Sequence, residues 1–146
     1  MDNQQPTVND ASAAATSETA TDAGLTPFFA AQVEQYADDV QWSAPRRNLV
    51  LQGRESVARQ LAAEFSAMSD VRITPLRESS GGAQGFHEFS VRFRLVEPGI
   101  PGVSIPPGAE VELERLRVLT RDPEGRVVSE MSVETWTWLP ALPRNP

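Results

Sequence analysis

Cysteine is absent from the sequence, which excludes disulfides and thiolate metal sites. Histidine occurs once, at His87, so a histidine-cluster metal site is excluded as well. A carboxylate-only magnesium or calcium site would need an Asp-rich loop of suitable spacing, and there is none; neither a metal nor a cofactor is expected. Lysine is missing too. All 13 basic residues are arginine, set against 20 acidic ones for a net charge of −7. That arginine bias reads first as the imprint of a GC-rich bacterial genome. The other reading is arginines placed for bidentate contacts to carboxylate or phosphate. The shortage of positive charge argues against a nucleic-acid partner, which calls for a concentrated basic face. No stretch approaches the roughly 20 apolar residues that span a bilayer, so no membrane partner is expected. The opening MDNQQPTVND has neither a basic region nor an apolar run, so no secretory signal is read and a soluble, cytoplasmic protein is expected.

What is present fits one domain, with 146 residues and an ordinary 40% hydrophobic content. Residues 1–24 carry four acidic groups, no basic ones and little aliphatic bulk, so burial cannot offset their ordering entropy. A disordered acidic tail is expected there, with nascent helix around Ala11–Ala15. The domain is expected over residues 25–140, followed by a Pro-rich tail over 141–146. Thr26 can cap a helix with Pro27 in its first turn, and Phe28, Phe29, Val33 and Tyr36 recur at helical spacing over about 26–37. Val40–Ser43 reads as a brief strand stopped by Ala44-Pro45, and Arg46–Gln52 as a polar stretch. Arg54–Ala67 reads as a helix with Val57, Leu61 and Phe65 on one face and Arg54, Glu55, Arg59 and Glu64 on a solvated one. Strands are expected over Val71–Leu76, Gly85–Val96, Ala109–Thr120 and Arg126–Leu139, with a hairpin turn at Asp122-Pro123-Glu124-Gly125. Helices early and long antiparallel strands late indicate an α+β fold, one curved sheet packed on its helices.

The string Tyr36-Ala37-Asp38-Asp39-Val40-Gln41-Trp42, then Gly53-Arg54-Glu55-Ser56-Val57, resembles the nuclear transport factor 2-like superfamily. The later half, with Pro107-Gly108 before a strand and Asp122 to Val128 before the last one, is similar to its SnoaL-like branch. The resemblance covers roughly residues 25–140. It implies a cone-shaped domain whose curved antiparallel sheet encloses a mostly apolar pocket, often paired as a homodimer through the sheet's outer face. It leaves the chemistry open, because this fold hosts isomerases, dehydratases, cyclases, epoxide hydrolases and binding proteins. Two departures stand out. Where ketosteroid-isomerase-like members place a general base ahead of the first strand's proline, this chain has Ala44. Where SnoaL-type cyclases place an acid late in the last strand, the count from Glu130 reaches Trp136, and a small slip would reach Glu134.

His87 shares a strand face with Phe89, Val91, Phe93 and Leu95, and a neutral imidazole there could act as acid or base, or simply cap the strand end. Tyr36 could direct its hydroxyl into the cavity or bond locally in the core. Asp38 and Asp39 close the first helix, against its dipole, and call for a partner such as arginine. Trp42 is expected in the pocket wall. In Glu110–Leu119 the odd positions turn from apolar to Arg115 and Arg117. Either a β-bulge near Glu114 swaps the faces, which is the simpler reading, or the two arginines enter the cavity and suit an anionic or carbonyl-bearing ligand. In the last strand Glu130, Ser132, Glu134, Trp136 and Trp138 share one face. An apolar wall would raise the pKa of Glu134 and make it a usable acid or base, unless this face is an interface with aromatic anchors.

These readings lead to a cofactor-independent enzyme, an isomerase, dehydratase or cyclase. It would act on a hydrophobic, polyketide- or terpenoid-like small molecule by general acid/base chemistry. His87 and Glu134 would carry protons and Tyr36 would donate to an oxyanion, with Trp42, Phe89, Val91, Arg115, Arg117 and Trp136 contacting substrate. The alternative is a ligand-binding or assembly protein with a vestigial pocket. Epoxide hydrolysis, which in this superfamily uses an Asp–Arg–Asp arrangement, ranks third, because the late strands have no Asp outside the turn.

Overall fold

The computed structural model describes residues 7–10, 16–17, 24–80 and 82–140. The elements run β1 (Thr7–Asp10), β2 (Thr16–Ser17), α1 (Pro27–Glu34), β3 (Tyr36–Ala44), a 3-10 turn (Pro45–Arg47), β4 (Leu49–Gln52), α2 (Arg54–Ser66), β5 (Met68–Ser80), β6 (Gln84–Leu95), β7 (Glu110–Arg121) and β8 (Val127–Leu139). Six strands form one curved, unclosed sheet in the order β5-β6-β7-β8-β3-β4, and the two helices pack on it. The class is α+β. The sheet is mixed rather than purely antiparallel, because β3 runs parallel to β8 while the other pairs are antiparallel. Among the described residues no helix is long and apolar enough to cross a membrane.

Two short segments of the N-terminal stretch depart from the expected disorder. β1 and β2 both pair antiparallel with β5, Thr7 opposite Ser80 and Thr16 opposite Ile73. Backbone hydrogen bonding to an open sheet edge needs no apolar side chains, which is why composition gave no sign of it. The helix expected at Ala11–Ala15, the rest of the tail before Gly24, and the C-terminal 141–146 lie outside the described residues.

Thr26 caps α1 as its composition predicts, accepting from the Phe29 N–H at 3.1 Å. The helix is shorter than its apolar spacing implied. Tyr36 already belongs to β3, and Asp38 and Asp39 are exposed strand residues rather than a helix end. Asp38 does meet an arginine, Arg54, at 3.1 Å on the surface. The polar stretch after Pro45 is ordered: a 3-10 turn ends at Asn48, whose φ of 53° reverses the chain into β4. On α2, Val57, Leu61 and Phe65 face the core as expected, but Glu64 is buried beside them rather than solvated.

Position along each long strand decides which side chains face the helices. On β6 these are Phe89, Val91, Phe93 and Leu95, and on β7 Val111, Leu113, Arg115, Arg117 and Leu119, all buried. The β7–β8 register is unbroken from Glu110 opposite Leu139 to Thr120 opposite Ser129. The bulge expected near Glu114 is therefore absent, and both arginines point inward. Register shifts occur instead in β3, between Tyr36 and Gln41, and in β5, where Asp70 has a φ of 52°.

Candidate functional site

The interior of the sheet holds two buried carboxylates, and each is enclosed by arginine. The first is Glu130 on β8. Its Oε1 accepts from the Tyr36 hydroxyl at 2.8 Å and from Arg117 Nε and Nη2 at 3.0 and 2.7 Å; its Oε2 accepts from Trp42 Nε1 at 2.8 Å. Four donors thus surround one carboxylate, three at Oε1 and one at Oε2. Burial by itself would raise its pKa, but the Arg117 charge and these bonds outweigh that, and the carboxyl stays below its ordinary range. The same surroundings act oppositely on Tyr36. Burial and then the Glu130 charge hold its hydroxyl far above the ordinary tyrosine value, so it stays protonated and directed at Glu130.

The second carboxylate, Glu134, lies four residues, or two pleat repeats, further along β8. Arg47 Nε reaches its Oε1 at 2.6 Å, and Arg115 Nη2 its Oε2 at 2.8 Å. Ser132 Oγ and Trp136 Nε1 donate to it as well, at 2.9 and 3.1 Å. Arg47 also pairs with Glu64 of α2 at 3.0 Å. The sequence reading expected the pKa of Glu134 to rise beside tryptophan. Burial does push upward, yet the Arg115 charge and the Arg47 hydrogen bond prevail, and the carboxyl falls to about 2. Glu134 stands at the centre of an ion-pair network.

Arg47 was missed because it reads as surface in a polar stretch. Its side chain enters the core because the 3-10 turn and the left-handed Asn48 fold it back over the sheet. The loop after β6 then closes on it. Gly102, at φ 81°, lies so near that a Cβ there would stand 2.6 Å from the Arg47 carbonyl oxygen. The pairing of Pro45 with Asn48 three residues on was the available signal.

His87 joins the first network. Arg117 Nη1 lies 3.1 Å from His87 Nδ1. A guanidinium can only donate, so Nδ1 accepts and the neutral ring carries its proton on Nε2. Burial, reinforced by the Arg117 charge, lowers the imidazole to about 4. Phe28 and Phe89 flank the ring, with centroids 5.6 and 5.1 Å away.

The structure thus brings Tyr36, Trp42, Arg117 and His87 together around Glu130, and Arg115 and Trp136 around Glu134. It does not bring the three expected proton carriers to one place: Tyr36 and His87 share a network through Arg117 and Glu130, while Glu134 belongs to the other. Trp42, Phe89 and Val91 are fully buried core residues. The void that Val91 and Arg115 line measures only about 10 Å³, too little for a ligand.

Room exists elsewhere. A cavity of about 450 Å³ opens between α1 and the ends of β5, β6 and β7, with His87 and Arg117 on its wall beside Phe28, Gln32, Phe86 and Arg121. A broader groove of about 830 Å³ lies at the opposite end of the sheet, around Asp70, Glu112 and Trp138. Its charged lining includes the Arg92–Glu112 pair and Glu110, which pairs with Arg94, and His87 is not part of that lining. The smaller cavity is the candidate site. Among the described residues no group of three or more His, Asp or Glu side chains is placed to hold a metal.

No protein-family model and no curated protein matches this chain. Solved structures do. A protein of Jannaschia sp. CCS1 described as a SnoaL-like polyketide cyclase superposes with a TM-score of 0.60 at 15% identity, over 77% of this chain and 75% of that one. An NTF2-like protein of unknown function from Exiguobacterium sp. 255-15 gives 0.55 at 12% identity, covering 73% and 82%. SalBIII, an epoxide hydrolase/cyclase-like enzyme of pyran ring formation in the polyether salinomycin, gives 0.53 at 20% identity, covering 73% and 77%. Identities this low speak to fold and leave activity open. The chain has the nuclear transport factor 2-like fold, in the form it shares with SnoaL-like proteins.

Proposed function

We propose that this chain holds a mostly apolar organic molecule, of polyketide- or terpenoid-like character and without a cofactor, in the cavity beneath α1. The observation that carries this reading is a cavity of about 450 Å³ walled by Phe28 and Phe86 and floored by the Arg117–His87 pair. That is the size and mixed lining of a small-molecule site. Binding ranks above turnover because Glu130 and Glu134, the carboxylates buried within the sheet, are held ionised by arginine and the lone tyrosine is held protonated. On the cavity wall the His87 imidazole is lowered to about 4 and its Nδ1 is engaged by Arg117, which makes it a weak general base.

Turnover is the second reading, and one feature favours it: the His87 Nε2–H is a neutral donor on the cavity wall. It could polarise a ligand carbonyl in an isomerisation, dehydration or cyclisation; of these, cyclisation is the chemistry named for the SnoaL-like and SalBIII neighbours. Epoxide hydrolysis remains third, since Glu130 is buried among four donors and is not part of the cavity lining. A homodimer through the outer face is also part of this proposal. Leu116 faces Val133 and Val118 faces Met131 there, with Val118 and Met131 about 40% exposed.

The test is an amide and side-chain NMR titration with a panel of hydrophobic ketones and alcohols, followed by product analysis. The reading requires shifts clustered at Phe28, Gln32 and His87. Shifts confined to the groove at Trp138, or none at all, would remove it. Product formation abolished by His87→Phe would promote the second reading over the first.

A further inference from the structure

Two buried side-chain atoms among the described residues have no hydrogen-bond partner, Gln32 Nε2 and Arg121 Nη1, and both belong to residues lining the same cavity. Native interiors rarely leave such donors unmet, so two in one cavity point to an absent acceptor. Gln32 is 5% exposed and fixed on α1. Arg121 ends β7, and its guanidinium packs against Gly85. A Cβ on Gly85 would come within 2.7 Å of Arg121 Nη1 and 2.9 Å of Ser79 Oγ.

The charges around the cavity narrow the acceptor. Arg117 is neutralised by Glu130 at 2.7 Å. Arg77, at the rim, pairs with Glu88 at 2.7 Å, and Glu78 is exposed beside it. Arg121 forms no ion pair among the described residues. His87 adds a third donor, its Nε2–H, because Nδ1 is engaged by Arg117. The wall therefore offers one uncompensated cation and two neutral donors, next to apolar surface from Phe28, Phe86 and Leu119.

Resting on the ligand-binding reading above, we infer that the ligand is an organic acid whose carboxylate takes the unbonded donors of Gln32 and Arg121 while its apolar body lies against Phe28 and Phe86. A single uncompensated guanidinium matches a monoanion, and its paired N–H groups match two carboxylate oxygens. A phosphate dianion would leave excess negative charge beside Glu78.

The experiment compares octanoate, octanol and octyl phosphate by calorimetric titration of the full chain at pH 7.5 and low salt. Octanoate is expected to bind at least about tenfold more tightly than octanol, as befits a charge-assisted contact. Arg121→Gln should bring the two within about twofold, Arg121→Lys should keep part of the preference, and Gln32→Leu should reduce it. Thermal unfolding of each variant separates lost recognition from lost fold. Equal binding of octanoate and octanol overturns the carboxylate inference but leaves the cavity reading standing. Tighter binding of octyl phosphate overturns it in favour of phosphate. Binding of none of the three overturns both.

Discussion

Replacing Glu134 by glutamine exchanges one oxygen for an NH2 group at the centre of a buried ion network, and its effect can be worked out from the geometry. The amide keeps the shape and one acceptor oxygen, but it cannot neutralise two guanidinium groups. Arg47 retains Glu64 at 3.0 Å, so it is partly compensated. Arg115 has no other ion-pair partner among the described residues and is buried. Removing one member of such a pair costs on the order of 3–5 kcal/mol, because the remaining charge stays out of water unpaired. The depressed carboxyl gives an independent figure. A fall from 4.5 to about 2 is some 2.5 pKa units, or about 3 kcal/mol of preference for the ionised form in the folded chain. The sign fixes the pH window. A carboxylate with a depressed folded pKa contributes fully above about 4.5 and loses that contribution as pH falls towards about 2. Urea unfolding of Glu134→Gln at pH 7 should therefore show a loss of about 3 kcal/mol, with a shallower decline than the wild type between pH 4.5 and 2. The double variant with Arg115→Met should recover part of that loss, since the orphaned charge goes with it. A loss below about 1 kcal/mol, or additive single variants, would refute the argument that Glu134 is a structural anion.

Two further outcomes follow from the same geometry. His87 should titrate by NMR near 4 instead of 6.5, so folded stability should fall as pH drops from about 6.5 towards 4. Arg117→Met should move that midpoint upward, and an unchanged midpoint would count against the Arg117–His87 contact. Gly102→Ala should destabilise the fold by about 1–3 kcal/mol in urea, because it combines a φ of 81° with a Cβ 2.6 Å from a backbone oxygen. A neutral result would mean that the loop does not pin Arg47.

Local chemistry made much of the fold legible. The Thr26-Pro27 start, the Val57, Leu61 and Phe65 stripe, the alternation through Phe89 to Leu95 and the turn at Asp122–Gly125 each carry their own signal. The turn closes through Asp122 Oδ1, which accepts from Glu124 and Arg126, both at 2.9 Å. The sequence also placed Arg115 and Arg117 on one row of β7, and Glu130 and Glu134 on one row of β8. It could not say that the rows face each other, because register is a property of the pair of strands and not of either alone. Without that register a bulge was the simpler account of arginines in an apolar row, and tryptophan beside Glu134 implied a raised pKa.

Composition and periodicity by themselves determined the class of fold, the helix starts, the inward row of β6 from Phe89 to Leu95 and the absence of thiol or multi-histidine metal chemistry. Tertiary structure alone decided that β3 runs parallel to β8, that Arg47 and Glu64 leave the surface, and that two carboxylates became buried anions. It also decided that a cavity of about 450 Å³ opens beneath α1 while the void beside Val91 and Arg115 is only about 10 Å³. The physical reason is the same throughout. A side chain's partner, and with it its charge state, depends on contacts between residues such as Arg47 and Glu134 that are far apart in sequence and meet only when the sheet closes over its helices.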